Sequence, residues 1–323
     1  MQNLYTNQKY PTKISEEKIY ETYCNNYNDI HFLFVEFQFG WLQQAYQALK
    51  DIDKYTILIF LFKENFNELS ELFKVKSFNQ FYFNPGFNLE KINIIEISKK
   101  LRMSKETTRR KIIELEQKGI LIKRKKNIYV TLKAGLLQKP VNTIKSFSKI
   151  LQYISYLLHK EQNVNQYYKK EFFEKKIKER FTQILAIFLD YQINYLLVRK
   201  VLANNDSELF FIAGVLIYNQ IMFLKKSEKK NHYHKEWVDE VFHIGNKKGL
   251  NPMTISDLTG IPRPTVIRKL KILLKQNDVF KDENNLHYIK KGKFVSSLNK
   301  LRLKNISELS TAISRINNII FFS

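Results

Sequence analysis

The sequence predicts a mainly α-helical protein that carries two small β-hairpins, and three observations support this fold class. Apolar residues recur at spacings of three and four over long segments, as one buried face of a helix requires. Two short runs rich in β-branched and aromatic residues flank polar tips, which predicts the hairpins. Each hairpin follows a pair of short helical segments, and this combination occurs twice, 158 residues apart.

Long helices are predicted in the N-terminal part and in the middle of the chain. The apolar-periodic segments are residues 30–50, 55–73, 146–160, 167–201 and 207–226. The longest apolar-rich stretch, residues 209–224, contains Asn219 and Gln220 and is shorter than the roughly 20 residues of a membrane span. We therefore expect this stretch to form a buried helix, with no membrane partner.

The first copy of the repeat begins with a short helix and a turn. Ile94, Ile97 and Leu101 form the apolar face of this helix, and a turn follows it. Ser104 then stands where its hydroxyl oxygen can accept a hydrogen bond from the Thr107 amide. A side chain in that position caps a helix, so a second helix is predicted to begin there.

The second helix of the first copy leads into a hairpin. Thr108, Ile112 and Leu115 lie on one face of this helix, and Gly119 ends it as a left-handed residue would. The predicted strands are residues 120–122 and 128–131, and the basic tip between them is residues 123–127.

The second copy repeats the same order of helix, turn, helix and hairpin. Its first helix is lined by Ile255, Leu258 and Ile261, with Gly260 at the turn. The second helix is lined by Val266, Leu270 and Leu273, and Pro262 and Pro264 flank its start, where a missing amide is tolerated. The hairpin strands are residues 279–280 and 286–289, around a less basic tip at residues 281–285.

The two copies align without gaps from residue 97 to residue 127 in the first and from 255 to 285 in the second. The identical pairs are Ile97/Ile255, Ser98/Ser256, Thr107/Thr265, Arg110/Arg268, Lys111/Lys269, Leu115/Leu273, Lys123/Lys281 and Asn127/Asn285. Each copy, interpreted separately, predicts the same local structure. We therefore interpret the two segments as an internal repeat.

The positive charge of the chain is concentrated in the same two segments. The net charge is +23, of which residues 88–135 carry +9 and residues 246–304 carry +10. A charge spread evenly over the chain would indicate only a solvated lysine-rich surface. Charge focused in two places instead predicts a polyanionic partner.

The run from Ser104 to Lys111 resembles the recognition helix of winged-helix regulators of the catabolite-activator and MarR types. These proteins have a small hydroxyl residue, a basic residue, Glu-Thr, and a further basic residue about five positions on. The resemblance covers about 45 residues in each copy. It implies two winged helix-turn-helix domains joined by a helical middle region, and double-stranded DNA as the partner.

The resemblance also implies which side chains contact DNA. Lys105, Glu106 and Arg110 are candidates for base contact, whereas the wing residues would reach the flanking backbone or minor groove. In the second copy Pro264 stands at the position of Glu106 and departs from the pattern, which implies a different or looser half-site. The candidate DNA-contacting residues are Ser104, Lys105, Glu106, Thr107, Thr108, Arg109, Arg110, Lys111, Lys123, Arg124, Lys125, Lys126, Arg263, Thr265, Arg268, Lys269, Lys271 and Lys281.

The domain organisation follows from these segments. We predict an N-terminal helical region (1–52), a first winged domain (53–139), a helical linker or dimerisation region (140–230), a second winged domain (231–304) and a C-terminal helix or tail (305–323). Residues 55–73 and 237–244 are candidates for the first helices of the two winged domains. A homodimer through the middle region is a further expectation.

Other classes of function have weaker support in the sequence. The single cysteine, Cys24, excludes a disulfide framework and favours a cytoplasmic, nucleoid-associated protein. His232, His234 and His243 lack further ligands, so no metal is predicted. No nucleotide-binding glycine motif or nucleophile elbow is present, so neither an enzyme nor a cofactor is expected. The aromatic-rich middle could shape an effector pocket, but such spacing is more typical of a core or a dimer interface.

Three functions remain open on sequence grounds. A transcription regulator with two DNA-reading domains is the leading hypothesis. A plasmid-type replication initiator is the alternative, because such proteins also carry pseudo-symmetric tandem winged helices. A winged-helix scaffold that binds proteins is the third, although the two basic segments argue against it.

Overall fold

The computed structural model describes residues 13–84, 86–89, 92–124, 127–137, 139–227 and 248–322. Within these residues the protein is mainly helical and has two small antiparallel sheets, which confirms the predicted mainly α-helical class with two β-hairpins. The long helices predicted from apolar periodicity are present. The segment 167–201 is the exception, because it is divided at Arg180 into two helices.

The helices fall into two sets along the chain. Those of the first half are α1 (Glu16–Asn25), α2 (Tyr27–Leu49), α3 (Ile52–Glu71), α4 (Phe78–Phe83), α5 (Ile94–Lys100), α6 (Lys105–Gln117), α7 (Leu132–Leu137) and α8 (Val141–Lys160). Those of the second half are α9 (Lys170–Glu179), α10 (Phe181–Leu202), α11 (Ser207–Ser227), α12 (Pro252–Thr259), α13 (Arg263–Lys275), α14 (Lys293–Lys300) and α15 (Arg302–Phe322).

Each half contains one of the two sheets. The first sheet has the order β1 (Phe87–Leu89), β3 (Asn127–Val130), β2 (Leu121–Arg124), with both pairs antiparallel. The second sheet pairs β4 (Val279–Lys281) with β5 (His287–Ile289), and Leu250 adds a single bridge to His287. The hairpins were predicted. Strand β1, which pairs with β3, and the Leu250 bridge, which pairs with β5, were not.

The strand register corrects the gapless alignment of the two copies. Lys123 is paired with Ile128, and its equivalent Lys281 is paired with His287. The tip of the second hairpin is therefore one residue longer than that of the first. The proposed equivalence of Asn127 and Asn285 is wrong for this reason, because an insertion in a hairpin tip leaves no trace in apolar periodicity.

The repeat extends far beyond the two basic segments. Apart from α4, the helices from α1 to α8 have counterparts in the same order among the described helices α9 to α15. Contacts between the halves are reciprocal: α3 packs on α10 and α11 packs on α2, while α1 packs on α15 and α9 packs on α8. Such reciprocal contacts are characteristic of a symmetric dimer. Both halves of this arrangement belong to one chain.

A pair of buried amides lies at the centre of this arrangement. Gln38 on α2 and Gln192 on α10, 154 positions apart, each donate a hydrogen bond to the other's side-chain oxygen, at 3.1 and 2.7 Å. Each is the equivalent of the other in the two halves. Buried Ile30 and Ile184, and Phe34 and Phe188, are matched at the same offset.

In each half one long helix packs on the sheet and on the short helix that precedes the hairpin. α3 packs on α6 and β1, as expected of residues 55–73. In the second half α11 takes this place, packing on α12, α13 and β5, although it falls within the predicted linker. The alternative helix at residues 237–244 lies outside the described residues.

Two helices in the described part of the chain have the length and apolar composition of membrane spans. They are α10 and the first 18 residues of α11, and most of each lies buried inside the protein. Burial against neighbouring helices accounts for their apolar composition, as it does for core helices that pass the same test.

Candidate nucleic-acid interface

The helix-turn-helix segments of both halves are held by the same bonds. In the first, the Ser98 hydroxyl donates to the Met103 carbonyl at 2.8 Å, and in the second Ser256 donates to Ile261 at 2.7 Å. The turn residue at the equivalent position is left-handed in both, Arg102 with φ 50° and Gly260 with φ 73°. The two turns are therefore constructed alike, although only one has glycine.

Helix α6 presents a basic face to solvent. The Ser104 side chain caps it by accepting from the Thr107 amide at 3.1 Å, as predicted. Lys105, Glu106, Arg109 and Arg110 are exposed. The Arg110 side chain is 68% exposed and lies 4.0 Å from Glu114, so its guanidinium is accessible from outside.

Helix α13 presents the corresponding face of the second half. Arg263, Arg268 and Lys271 are exposed and Thr265 is half-buried. Pro262 is the N-cap and Pro264 lies in the first turn. Unlike α6, this helix contains no acidic residue, so its exposed face is more uniformly positive.

Three of the predicted DNA contacts are wrong because the side chains are buried. Thr108 is fully buried and its hydroxyl donates to the Ser104 carbonyl at 3.0 Å. Lys111 and Lys269 are 9% and 6% exposed. Residues three and four positions apart share a face of a helix, so Thr108 and Lys111 lie on the same side as the apolar residues of α6.

The two buried lysines bind the N-cap carboxylates of the supporting helices. Lys111 lies 2.6 Å from Asp51, which caps α3 by accepting from the Lys54 amide at 3.0 Å. Lys269 likewise bonds to Asp206, which caps α11 by accepting from the Leu209 amide at 2.9 Å. Each lysine thus fixes the helix that carries the exposed basic face onto the helix beneath it.

The hairpin tips differ in their charge. In the first, Lys123 and Arg124 are exposed, and the Lys123 amide donates to Glu116 at 2.7 Å, which holds the hairpin against α6. Lys125 and Lys126 lie outside the described residues. In the second, Lys281 is exposed but Asp282 accepts hydrogen bonds from the Leu286 amide and the Tyr288 hydroxyl, at 2.8 and 2.9 Å.

Both basic faces are anchored at one polar junction. Asp53, beside the α3 cap, accepts from Lys200 at 2.8 Å and from Ser207 at 2.6 Å. Ser207 is the first residue of α11 and follows the Asp206 that binds Lys269. The helices α6 and α13 are therefore connected through a short series of hydrogen bonds and ion pairs.

The end of α2 also contacts the second half directly. The Gln43 amide donates to the Leu258 carbonyl at 2.9 Å, and the Tyr46 hydroxyl donates to Glu208 at 3.3 Å. Burial and the Glu208 carboxylate raise the pKa of Tyr46, so this hydroxyl keeps its proton. These bonds limit movement of α12 and α13 relative to the first half.

Sequence reasoning missed Asp51 and Asp206 because it assigned Lys111 and Lys269 to DNA contact. One signal was available: Lys111 and Lys269 are identical in the two copies, and an aspartate precedes the long apolar run in each half. The cluster of His232, His234 and His243 lies outside the described residues. Elsewhere in the described ranges no group of three or more His, Cys, Asp or Glu side chains is arranged to hold a metal ion.

Comparisons of the chain with protein families, with curated proteins and with solved structures give no match.

Proposed function

We propose that the chain binds duplex DNA sequence-specifically through two winged helix-turn-helix units. The first unit comprises α3, β1, α5, α6, β2 and β3, and the second comprises α11, α12, α13, β4 and β5. The observation that carries this proposal is the repetition of one arrangement: a capped or proline-started helix, basic on its exposed face, seated on a supporting helix and followed by a hairpin.

The exposed side chains of α6 and α13 suit the major groove. An α-helix fits this groove, and its N-terminal side chains then reach the base edges, which differ for each base pair. Arg110 and Arg268 occupy the same position in both helices and are exposed in both. Arginine is the side chain that pairs most often with guanine in this groove.

A transcription regulator is the first candidate class. Its two units would contact two half-sites, and the helices between them would set the distance. A plasmid-type replication initiator is the second class, favoured by the reciprocal packing of two similar halves in one chain. A protein-binding scaffold has the least support, because its corresponding helices would not need an exposed basic face.

Genome-wide occupancy of the tagged protein separates these classes. A regulator gives peaks at several promoters, an initiator gives one origin, and a scaffold gives no direct DNA signal. DNA that is recovered only through a second protein would support the scaffold.

Salt dependence of binding tests DNA binding itself. Two units that each neutralise several phosphates give a slope of log affinity against log salt of about −5 or steeper, at roughly −0.9 per phosphate contact. Replacing Arg109, Arg110, Arg263 and Arg268 by alanine reduces the slope. Arg315→Ala is the control, since Arg315 is exposed on α15, which packs mainly on α1, α9, α10 and α14 and not on the helices of either unit. A flat salt response of the unaltered protein contradicts the proposal.

A further inference from the structure

An apolar cavity of about 170 Å³ lies between α2 of the first half and α10, α11, α14 and α15 of the second. Its walls include Phe34, Phe39, Leu42 and Phe211. For comparison, an engineered apolar cavity of about 150 Å³ binds benzene. The space is thus large enough for one aromatic ring.

The equivalent position in the first half is almost filled by side chains. There the corresponding cavity measures about 30 Å³ and is lined by Trp41, Ile59, Phe62 and Phe66, among others. The internal repeat matches these with Tyr195, Gly214, Ile217 and Ile221, each of which lines the larger cavity. Smaller side chains at the four positions, above all Gly214, therefore open the cavity in the second half.

The larger cavity also differs in charge. Arg199 stands where the first half has Ala45, and His31 stands where the second half has Leu185. Arg199 is nine-tenths buried and lines the cavity, as do His31 and Arg302. No charged residue lines the filled counterpart.

The bonds of Arg199 leave its charge without a counter-ion. One guanidinium nitrogen donates to the Tyr195 carbonyl at 3.1 Å, and the guanidinium carbon lies 3.3 Å from the centre of the Tyr195 ring. Among the described residues no carboxylate lies within ion-pair distance of this side chain. A buried guanidinium is costly unless an anion pairs with it.

The histidine in the cavity wall carries no charge of its own. Burial, assisted by the positive charges of Arg302 and Arg199, lowers the pKa of His31 to about 3. The imidazole is consequently neutral near pH 7, so the arginines are the charged groups that line the cavity. It stacks on Tyr27 with ring centres 4.6 Å apart and contributes to an aromatic wall.

We propose that this cavity binds a small organic carboxylate with an apolar body about the size of one aromatic ring. The carboxylate pairs with Arg199, whose planar guanidinium suits two parallel hydrogen bonds to it. The aromatic and aliphatic walls contact the ring. This site does not depend on DNA binding, and it lies where the two halves of the chain meet.

Calorimetric titration with benzoate tests the site, with benzyl alcohol as the uncharged match and acetate as the anion without a ring. We expect benzoate to bind the full-length protein at least about tenfold more tightly than either control. Arg199→Met removes the preference of the site for benzoate over benzyl alcohol. Arg315→Ala, which alters an exposed arginine on α15, leaves binding unchanged.

Gly214→Ile provides a second test that does not alter charge. A Cβ atom at Gly214 meets no other atom within 4 Å, and the equivalent residue in the first half is Ile59. The variant fills the cavity, so it loses benzoate binding while its melting temperature stays the same or rises. Equal affinity for benzoate and benzyl alcohol, no benzoate binding at all, or full binding by a folded Gly214→Ile variant would each overturn the proposal.

Discussion

Lys111 and Lys269 illustrate how a basic residue on a helix that we propose binds DNA can stabilise the fold instead. Each pairs with an aspartate that caps the supporting helix, and a second acidic side chain lies within 4.0 Å, Asp53 for Lys111 and Glu208 for Lys269. A carboxylate at a helix N-terminus is already stabilised by the helix dipole. The ammonium group of the lysine gives this carboxylate a second favourable interaction, at a site that is mostly buried.

Comparison of Lys111→Met with Arg110→Met tests this division of roles. Lys111→Met removes the closest ion-pair partner of the Asp51 carboxylate, which is 22% exposed and keeps only the Lys54 ammonium at 3.9 Å. We expect the free energy of unfolding to fall by about 2 kcal/mol, while the folded variant keeps its DNA affinity. Arg110→Met is expected to weaken DNA binding and to leave the free energy of unfolding unchanged. The measurements are urea unfolding and a DNA-binding titration, and a Lys111→Met variant of normal stability but weak DNA binding would contradict the assignment.

Single residues were predictable from the sequence where their partners were close along the chain. Ser104 and Thr107 are three positions apart, so their cap bond follows from helix geometry. The partner of Lys111 is 60 positions away, and local spacing contains no information about it. Exposure of Arg110 was predicted correctly because it does not depend on a distant partner.

At the scale of elements, the turn between the two helices of each unit requires an unusual backbone conformation. Gly260 has φ 73°, a region that glycine occupies at no steric cost. Arg102 adopts nearly the same conformation in the first unit. The second turn therefore has the residue better suited to this position.

Gly260→Ala is expected to lower the free energy of unfolding by about 1 kcal/mol. The added methyl would lie 3.8 Å from its neighbours, an ordinary contact, so the cost comes from the backbone alone. Gly40→Ala is the matched control, because Gly40 lies inside α2 with open space around it and a helix favours alanine. Thermal unfolding of both variants checks this, and equal destabilisation by the two would contradict it.

The long helices, and the helix pair and hairpin of each unit, were predicted from their own residues, whereas strand β1 was not. The three-residue strand β1 exists because β3 offers it an edge, with Phe87 opposite Val130. Nothing within Phe87–Leu89 itself specifies a strand. The role of α11 as a supporting helix was missed for a similar reason, since it is defined by packing on α12 and α13 rather than by its own sequence.

At the scale of the whole molecule, the two halves meet through equivalent surfaces. The Gln38 and Gln192 pair is fully internal, with both side chains at most 4% exposed. A buried amide that loses its partner costs more than a buried pair of apolar residues, because its donors and acceptor remain unsatisfied. The pair therefore contributes specificity to the association of the halves.

Single and double replacements of these glutamines measure that contribution. Gln38→Leu is expected to lower the free energy of unfolding by about 2 kcal/mol, since Gln192 is left unpaired. Gln38→Leu combined with Gln192→Leu is expected to cost less than the sum of the single variants. Gln47→Leu, at an exposed position of the same helix, is the control. Additive effects in urea unfolding would contradict a coupled pair.

The extent of the repeat could not be predicted from identities alone. Outside the basic segments many matched positions preserve burial without preserving residue type, as with Trp41 and Tyr195 or Tyr27 and Phe181. The identical pairs Ile30/Ile184, Phe34/Phe188 and Gln38/Gln192 are scattered along α2 and α10, and so few identities in a long helix are not distinguishable from chance. The contacts between α3 and α10 and between α2 and α11 are what reveal the duplication.

The spacing of half-sites tests most directly the central claim that one chain binds DNA through both units. Sites are selected from random duplex DNA, the gap between the two half-sites is then varied, and affinity and the mass of the complex are measured. Because the junction at Asp53 and Ser207 connects the units, insertion of about 5 base pairs should sharply weaken binding by one chain, and about 10 should partly restore it. The half-sites should differ, since Pro264 stands where α6 has Glu106. A symmetric site bound by two chains, each through its first unit alone, would contradict the claim.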